Sequence, residues 1–283
     1  MTFENVKIEF QSRLNKFYDT KEIETFLDFL SEDIGISKID IRIQKNIPLS
    51  DFQNTYFFNS LQRLEKEEPI QYIRGKADFF GYEFTVSPSV LIPRQETELL
   101  VDSIIKENKE QNLQIVDLGT GSGCIAICLA KLISNSKVIA IDISLDALEI
   151  AKKNALEMNV SVEFVQINIC NESLYEQIPE CNIIVSNPPY ICTKEQVQME
   201  NNVLNFEPHL ALFVPNSDPL LFYKAIAKIG LQKLQKNGKI YCEINEAYGN
   251  ETLELFEKYG YTNCRIIKDL NDKNRFVVCE KGI

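Results

Sequence analysis

Residues 117–123 read Asp-Leu-Gly-Thr-Gly-Ser-Gly and stand between the apolar run Gln114-Ile115-Val116 and the helical segment Cys124–Leu132. A glycine-rich turn from a strand into a helix is typical of a site that holds a nucleotide-like cofactor. Asp142 ends the next apolar run, near the spacing of about 20 residues at which an acid meets ribose hydroxyls. The glycine spacing differs from the NAD fingerprint, and no Gly-Lys-Ser/Thr follows. The alternative is an ordinary tight connection between a strand and a helix.

Strands and helices alternate from Leu113 onward, which predicts right-handed crossovers and a parallel sheet. We predict strands at 114–118, 137–142, 162–167, 182–186 and 239–245, with helices near 123–133, 144–158, 218–236 and 247–259. Two further strands, 261–267 and 275–280, are joined by a polar segment that holds no helix, so they should pair antiparallel. The fold class predicted is therefore α/β, with an open sheet of seven strands.

The chain divides into three predicted parts. Residues 1–68 have apolar residues at helical spacing and predict a small helical domain, with a dimerisation module as the alternative. Residues 69–95 contain short runs rich in Phe, Tyr and Val, interrupted by Gly and Pro, and predict a β-hairpin linker. Residues 96–283 form the cofactor-binding domain, and a helix begins at its start.

Two capping signals mark helix starts within the first part. Asp19-x-x-Glu22 and Ser50-x-x-Gln53 each place a capping side chain before an apolar helical pattern. Gly35 can end the helix that starts at the first signal. The stretch 36–49 stays open between helix and strand, because its isoleucines alternate as they do in a strand.

A second motif ends the predicted strand 182–186, where residues 185–191 read Val-Ser-Asn-Pro-Pro-Tyr-Ile. Asn187 offers a carbonyl oxygen as an acceptor, and the prolines donate no hydrogen bond, so the Pro188 carbonyl is free to accept as well. Two acceptors that converge on one NH2 group, with the ring face of Tyr190 beside them, suit methyl transfer to nitrogen. The candidate catalytic residues are Asn187, Pro188, Pro189 and Tyr190; a plain proline turn is the alternative.

The composition indicates a globular protein and disfavours nucleic-acid binding and metal binding. The 283 residues are 45% hydrophobic and 25% charged, which is typical of a globular protein. The net charge of −11 disfavours a large phosphate-binding surface, because nucleic-acid affinity depends on Lys and Arg. His209 is the only histidine and the cysteines form no Cys-x-x-Cys pair, so we expect no metal site. No signal peptide or membrane span is recognisable, and we expect a cytoplasmic protein.

The predicted sheet resembles that of the class I S-adenosylmethionine-dependent methyltransferases, whose last strand is antiparallel. Three further segments, 69–75, 91–98 and 206–208, together with 185–191, look like the peptide chain release factor glutamine methyltransferases. These enzymes are protein-(glutamine-N5) methyltransferases. The resemblance extends from about residue 60 to the C-terminus, and the N-terminal helices match only in length and class.

The resemblance implies a set of site residues. S-adenosyl-L-methionine, converted to S-adenosyl-L-homocysteine, would be held by Asp117, Gly119, Thr120, Gly121, Ser122, Gly123, Asp142, Asn168, Ile169, Asn187 and Thr97. The substrate would be held by Asn187, Pro188, Pro189, Tyr190 and Arg94. The chain departs from the family at two places. Asn168 and Ile169 replace an Asp and an aromatic residue, and Glu243 lacks the glycine that usually follows it.

The partners implied are class I release factors, methylated on the glutamine of their Gly-Gly-Gln loop, which would tune translation termination. We expect a monomer with no direct binding to nucleic acid or membrane, and we expect residues 1–68 to dock the release factor. Three alternatives remain: a glutamine methyltransferase acting on a ribosomal protein, an adenine N-methyltransferase acting on nucleic acid, and a non-catalytic cofactor-binding scaffold.

Overall fold

The computed structural model describes residues 1–43, 46–110, 112–269 and 271–282, and the chain forms two compact units. The first unit comprises Met1–Gly75 and Glu200–Phe206, and the second comprises Lys76–Met199 and Glu207–Ile283. Within the described ranges, no helix combines the length and the apolarity needed to cross a membrane. The division at residues 68 and 95, with a docking role for the first part, stays a prediction.

The helices follow the capping and periodicity signals of the sequence. Their bounds are α1 (Phe3–Leu14), α2 (Thr20–Asp33), α3 (Lys38–Ile43), α4 (Asp51–Leu64), α5 (Ile70–Arg74), α6 (Gln95–Glu107), α7 (Cys124–Leu132), α8 (Leu145–Glu157), α9 (Asn201–Phe206), α10 (His209–Leu212), α11 (Leu221–Lys233) and α12 (Gly249–Lys258). Short 3₁₀ helices lie at Glu172–Gln177, Thr193–Gln198 and Glu246–Tyr248.

The strands are β1 (Lys76–Phe79), β2 (Tyr82–Thr85), β3 (Gln114–Leu118), β4 (Lys137–Asp142), β5 (Glu163–Gln166), β6 (Cys181–Ser186), β7 (Ile191–Cys192), β8 (Phe213–Val214), β9 (Leu234–Glu243), β10 (Tyr261–Lys268) and β11 (Asn274–Lys281). Seven of them form one sheet in the order β10-β11-β9-β6-β3-β4-β5. Strand β11 pairs antiparallel with both of its neighbours, and the other pairings are parallel. The predicted fold class is confirmed.

In the first unit, both capping signals act as predicted. Asp19 and Ser50 each accept a hydrogen bond from the backbone three residues later, and the Glu or Gln at that position returns one. Gly35, with φ of +75°, stands just after α2, in the left-handed region where a residue without a Cβ is least strained. The stretch left open at 36–49 contains the short helix α3, in which the Ile39 side chain is exposed. Residues 44 and 45 lie outside the described residues.

The segment 69–95 differs from a simple hairpin. Residues 70–74 form helix α5, which Gly75 ends with φ of +74°, and the hairpin of β1 and β2 follows it. The sequence indicated the hairpin through its aromatic runs. The one-turn helix before it is too short to give a periodic signal.

The core of the second unit has two layers, one on each face of the sheet. Val116 and Leu118 of β3 pack into one apolar cluster with Ile184 and Ile240, whereas Ile115 packs into the other cluster. Helices cover both faces, which explains why every residue of β3 after Gln114 is buried. The order β6-β3-β4-β5 brings the carboxyl ends of these strands to one edge, where α/β proteins bind ligands.

Candidate active site

A cavity of about 450 Å³ lies at this edge of the sheet, within the size range of small-molecule sites. The sequence candidates that line the cavity are Arg94, Thr97, Gly119, Thr120, Gly121, Ser122, Asp142, Asn168, Ile169, Asn187, Pro188 and Pro189. Asp117, Gly123 and Tyr190 are not among the lining residues. The structure thus brings together segments from five parts of the chain, as the motifs indicated.

The glycine turn after β3 is fixed to the neighbouring strand. The amides of Gly119 and Thr120 both donate to the carbonyl of Ile141, at 2.8 and 2.9 Å. Gly119 and Gly121 have positive φ, and no atom lies within 4 Å of the position that a Cβ would take at either residue. These two glycines therefore leave free space at the cavity wall, so a ligand can approach the backbone closely.

Gly123 has a different role from the other glycines of the turn. A Cβ at this position would lie 3.0 Å from the Ala151 Cβ and 3.0 Å from the Ile127 Cδ1. The residue also has φ of +81° at the N-cap of α7. Its structural task is close packing of α7 on α8, and its predicted contact with the cofactor stays a prediction.

Asp117 is fully buried behind the turn. Its Oδ2 accepts a hydrogen bond of 2.6 Å from the Thr120 hydroxyl, and its Oδ1 has no hydrogen-bond partner. Burial raises the pKa of Asp117 to about 7, the hydrogen bond from Thr120 opposes the rise, and the charge of Asp142 adds to it. This carboxyl group therefore titrates near neutral pH in the ligand-free protein.

Asp142, at the end of β4, is held by two backbone amides. Its Oδ2 accepts from the Gly121 amide and its Oδ1 from the Ser144 amide, each at 2.9 Å. A carboxylate oxygen can accept more than one hydrogen bond, so both oxygens can still receive hydroxyl protons from the cavity. Burial raises the pKa of Asp142, and the amides of Ser144 and Gly121 oppose the rise.

The third strand end in the cavity carries Asn168 and Ile169. The Asn168 Oδ1 accepts from the Cys170 amide at 2.9 Å, which closes a tight turn. Ile169 is buried and lines the cavity, and its carbonyl accepts from the Tyr175 hydroxyl at 3.0 Å. The wall at this point is apolar and is continued by Ile143 and Phe222, so it suits a flat ring.

The 185–191 motif is fixed from both sides. The Ser186 hydroxyl donates to the Leu118 carbonyl at 2.6 Å and ties the end of β6 to the end of β3. The Tyr190 hydroxyl donates to Glu243 Oε1 at 3.1 Å, and the Asn245 amide group donates to the Tyr190 carbonyl at 3.1 Å. Because its hydroxyl is directed to Glu243, Tyr190 supports the motif from behind; its ring contact with a substrate stays a prediction.

Glu243, at the end of β9, is a site residue that the sequence reasoning did not select. Its Oε2 accepts from the Thr97 hydroxyl at 2.7 Å, and the Asn187 Nδ2 donates to the same Thr97 oxygen at 3.3 Å. Burial raises the pKa of Glu243, while the hydrogen bonds from Thr97 and Tyr190 oppose the rise. The sequence feature that could have identified Glu243 is an acidic residue at the carboxyl end of a predicted central strand.

Arg94 and Glu207 join two of the quoted segments. The guanidinium Nη2 of Arg94 lies 2.5 Å from Glu207 Oε1, and the Glu207 side chain is 1% exposed. The Ile92 amide donates to the other carboxylate oxygen at 3.3 Å. Segments 91–98 and 206–208 thus meet through a buried acid, which holds Arg94 at the cavity wall.

These features suit a nucleoside cofactor. Open space at Gly119 and Gly121, a fixed carboxylate at Asp142 and an apolar wall near Ile169 meet the needs of a polar chain, a ribose and a base. Asn187 lines the same cavity.

Two domain-family models and several curated proteins are similar to this chain. The Methyltransferase small domain matches residues 94–206, and the PrmC N-terminal domain matches residues 9–75. The release factor glutamine methyltransferase of Flavobacterium psychrophilum is 43% identical over 282 residues, 98% of this chain and 98% of that protein. The enzyme of the same name from Bacteroides thetaiotaomicron is 44% identical over 269 residues, 95% of this chain and 96% of that protein.

A solved structure supports the fold. The crystal structure of a methyltransferase from Pyrococcus furiosus superposes with a TM-score of 0.52 and covers 83% of this chain and 100% of that chain. The sequence identity is 17%, so the likeness concerns the fold alone.

Asp117 yields a prediction about stability and pH. Between its unfolded pKa of about 4 and its folded value of about 7, the folded protein binds more protons than the unfolded chain. The free energy of unfolding should therefore fall as pH rises across this interval, by up to about 1.4 kcal/mol per pH unit, and then stay level. Asp117→Asn should lose this component.

The measurement is urea unfolding of the ligand-free wild type and of Asp117→Asn at several pH values from about 5 to about 8. The other titrating groups are common to both proteins, so only the difference between the two curves is interpreted. Parallel curves over the whole range would show that Asp117 keeps an ordinary pKa.

Proposed function

We propose that this chain, which belongs to the family of release factor glutamine methyltransferases, methylates the glutamine side chain in the Gly-Gly-Gln loop of class I peptide chain release factors and so tunes translation termination. The observation that carries the proposal is that Asn187 and the glycine turn line one cavity. The likeness to enzymes named for this substrate, over nearly the whole of both chains, supports the choice of substrate.

The chain is a methyltransferase, and its cofactor is S-adenosyl-L-methionine. When bound, the cofactor supplies a methyl group that its positive sulfonium makes electrophilic. We assign the turn 119–122 to the amino-acid part of the cofactor, Asp142 to the ribose hydroxyls, and Asn168 with Ile169 to the base. Thr97 and Asp117 lie close to this path and complete the proposed set.

The substrate amide nitrogen is a poor nucleophile, because its lone pair is delocalised into the carbonyl. In our proposal the Asn187 Oδ1 and the Pro188 carbonyl each accept one N–H of the amide, which draws the nitrogen towards a pyramidal and more nucleophilic geometry. Pro189 and Tyr190 shape the slot. Positioning contributes much of the rate, since well-oriented pairs reach effective molarities of about 10⁵–10⁸ M. The methylated amide is strongly acidic and loses its proton to water or a carbonyl without a dedicated base.

Recognition of the release factor must come from a wider contact than one glutamine. We propose that residues 1–68 dock the body of the factor and that Arg94 contributes at the cavity. We further propose that the enzyme works as a monomer in the cytoplasm without binding nucleic acid. The acidic net charge of −11 supports the last point.

The direct test is incubation of the purified protein with methyl-labelled cofactor and four acceptors: a release factor, the same factor with its loop glutamine changed to glutamate, a ribosomal protein fraction, and DNA. We expect label only on the unmodified release factor, at the loop glutamine by mass spectrometry. Label on DNA or on a ribosomal protein instead would favour one of the alternative enzymes.

Asn187→Ala should abolish methyl transfer while the fold and most of the cofactor affinity remain. One N–H of the desolvated substrate amide would lose its acceptor, which costs about 1–3 kcal/mol before any further catalytic loss. Turnover on the release factor and calorimetric titration with S-adenosyl-L-homocysteine measure the two properties. Asn171→Ala is a matched control, because Asn171 is exposed and does not line the cavity. Activity of Asn187→Ala within a few-fold of wild type would contradict the assignment.

Asp142→Ala should weaken cofactor binding by about tenfold or more, because charge-assisted hydrogen bonds contribute roughly 1.5–3 kcal/mol. Calorimetry with S-adenosyl-L-homocysteine gives the affinity. Glu149→Ala removes the same charge from the exposed face of α8 and should bind normally. An unchanged affinity for Asp142→Ala would move the ribose contact to another residue.

Removal of residues 1–68 should leave cofactor binding largely intact but sharply reduce methylation of the intact release factor. The loss on a short peptide that contains the glutamine loop should be smaller, because the peptide lacks the docked body. Normal turnover of the intact factor by the folded truncation would refute docking.

Phe52→Ser tests the same idea without a truncation, because Phe52 on α4 is 71% exposed. Leu156→Ser, at a residue of α8 that is 78% exposed, is its matched control. If Phe52 lies in the docking surface, only the first change should raise the KM for the intact factor.

A further inference from the structure

The carboxamide of Asn187 has two ends of almost equal size, and its function depends on which end faces the cavity. An oxygen towards the substrate accepts an N–H, whereas an NH2 group would oppose the substrate's own NH2. Packing cannot select between the ends, because oxygen and NH2 are similar in shape. Only the polarity of the hydrogen bond behind the carboxamide can fix its orientation.

That polarity is set by a buried pair of residues behind Asn187. Glu243 is 2% exposed and accepts from two hydroxyls, Thr97 at 2.7 Å and Tyr190 at 3.1 Å. The Thr97 hydroxyl has one proton, and it gives that proton to Glu243. The Thr97 oxygen can then only accept, so the neighbouring end of Asn187, at 3.3 Å, must be Nδ2.

Oδ1 of Asn187 is the end that remains. It makes no hydrogen bond to any residue that the structure describes, and Asn187 lines the cavity. Neither Glu243 nor Tyr190 lines the cavity, so Glu243 reaches the substrate through other residues, and Thr97 with Asn187 is the hydrogen-bonded path to the cavity.

We propose that Glu243 is a positioning residue, which through the Thr97 hydroxyl holds the acceptor oxygen of Asn187 towards the substrate amide. The proposal rests on the proposed function, because it assigns the orientation of an acceptor that the methylation of an amide requires. A structural role for Glu243, as an anchor between β9 and α6, predicts different behaviour from the variants below.

Glu243→Gln changes the polarity with almost no change in shape. Among the described residues, Glu243 is the only acceptor of the Tyr190 hydroxyl, so Oε1 of the new glutamine stays with Tyr190. Its Nε2 then donates to Thr97, which turns its proton towards Asn187. The Asn187 carboxamide flips and presents NH2 to the substrate.

We expect Glu243→Gln to lower kcat by about 100-fold, the order of effect seen when one preorganised hydrogen bond to a reacting group is lost. The Kd for S-adenosyl-L-homocysteine should stay within about threefold of wild type. Glu107→Gln is the matched control: Glu107 also accepts a tyrosine hydroxyl, from Tyr241 at 3.0 Å, and lies outside the cavity lining. The control should keep wild-type kcat.

A second substitution at Asn187 distinguishes a positioning role of Glu243 from a purely structural one. In the Glu243→Gln background, Asn187→Asp supplies acceptor oxygens at both ends, one for the turned Thr97 proton and one for the substrate. The double variant should therefore turn over about tenfold faster than Glu243→Gln alone. In the wild-type background, the same Asn187→Asp change makes two carboxylates compete for one Thr97 proton and should slow the reaction. Thr97→Val should lose activity, and Thr97→Ser, which keeps the hydroxyl, should be clearly more active than Thr97→Val.

A measurement without turnover completes the test. In the wild type, the side-chain NH2 protons of Asn187 should show a nuclear Overhauser effect to the Thr97 methyl group, and Glu243→Gln should abolish it. Absence of wild-type turnover on release factors counts against the proposed function, and the Overhauser measurement still decides the orientation. The proposal fails if the Overhauser effect is unchanged in Glu243→Gln, if that variant keeps kcat within threefold of wild type, or if Asn187→Asp gives no compensation.

Discussion

The parallel pairing of β3 with β4 on one side and β6 on the other is the constraint on which the site depends. The pairing is in register up to the strand ends, with Leu118 beside both Ile141 and Ser186. Polar groups then lock the ends: the Ile141 carbonyl receives two amides of the glycine turn, and the Leu118 carbonyl receives the Ser186 hydroxyl. Three chain segments that are far apart in sequence therefore open into one cavity.

Buried acids hold the walls of this cavity in place. Neither Glu243 nor Glu207 lines the cavity. Glu243 connects the segments of Thr97 and Tyr190 by accepting from both hydroxyls. Glu207 connects segment 206–208 to segment 91–98 by binding Arg94 and the Ile92 amide. A buried carboxylate is unfavourable unless it is hydrogen-bonded, so such a group selects conformations that bring its donors to it. The free energy needed to bury each carboxylate therefore favours the site geometry in which its hydrogen-bond donors reach it.

The sequence was sufficient for the parts of the structure that depend on local periodicity. Strands β3 and β4 lie at the predicted residues, and Asp19 and Ser50 cap helices as predicted. Strand β9 begins at Leu234, five residues before the apolar run predicted it, because residues 235–237 after the buried Leu234 are polar and exposed and the β6 register shifts beside them. The small β7–β8 pair gave no signal, because two residues are too few for a period.

The connections within the site were beyond the sequence for a different reason. Thr97 and Glu243 are separated by 146 positions, and Arg94 and Glu207 by 113. Motif reading selected Thr97, Arg94 and Asn187 one at a time, but the direction of a hydrogen bond follows only from three groups in contact. The direction of hydrogen bonds between residues far apart in sequence is therefore set only in the folded chain.

The residues after Glu243 show why this chain needs no glycine there, although the resemblance led us to expect one. A glycine is needed where the backbone adopts positive φ or where a side chain would clash. No residue from Ile244 to Tyr248 has positive φ. The Ile244 side chain is fully buried in the sheet's core, its amide donates to the Arg275 carbonyl at 2.9 Å, and Asn245 supports the Tyr190 carbonyl. This segment therefore needs no glycine: Ile244 anchors it in the core, and Asn245 supports the 185–191 motif through the Tyr190 carbonyl.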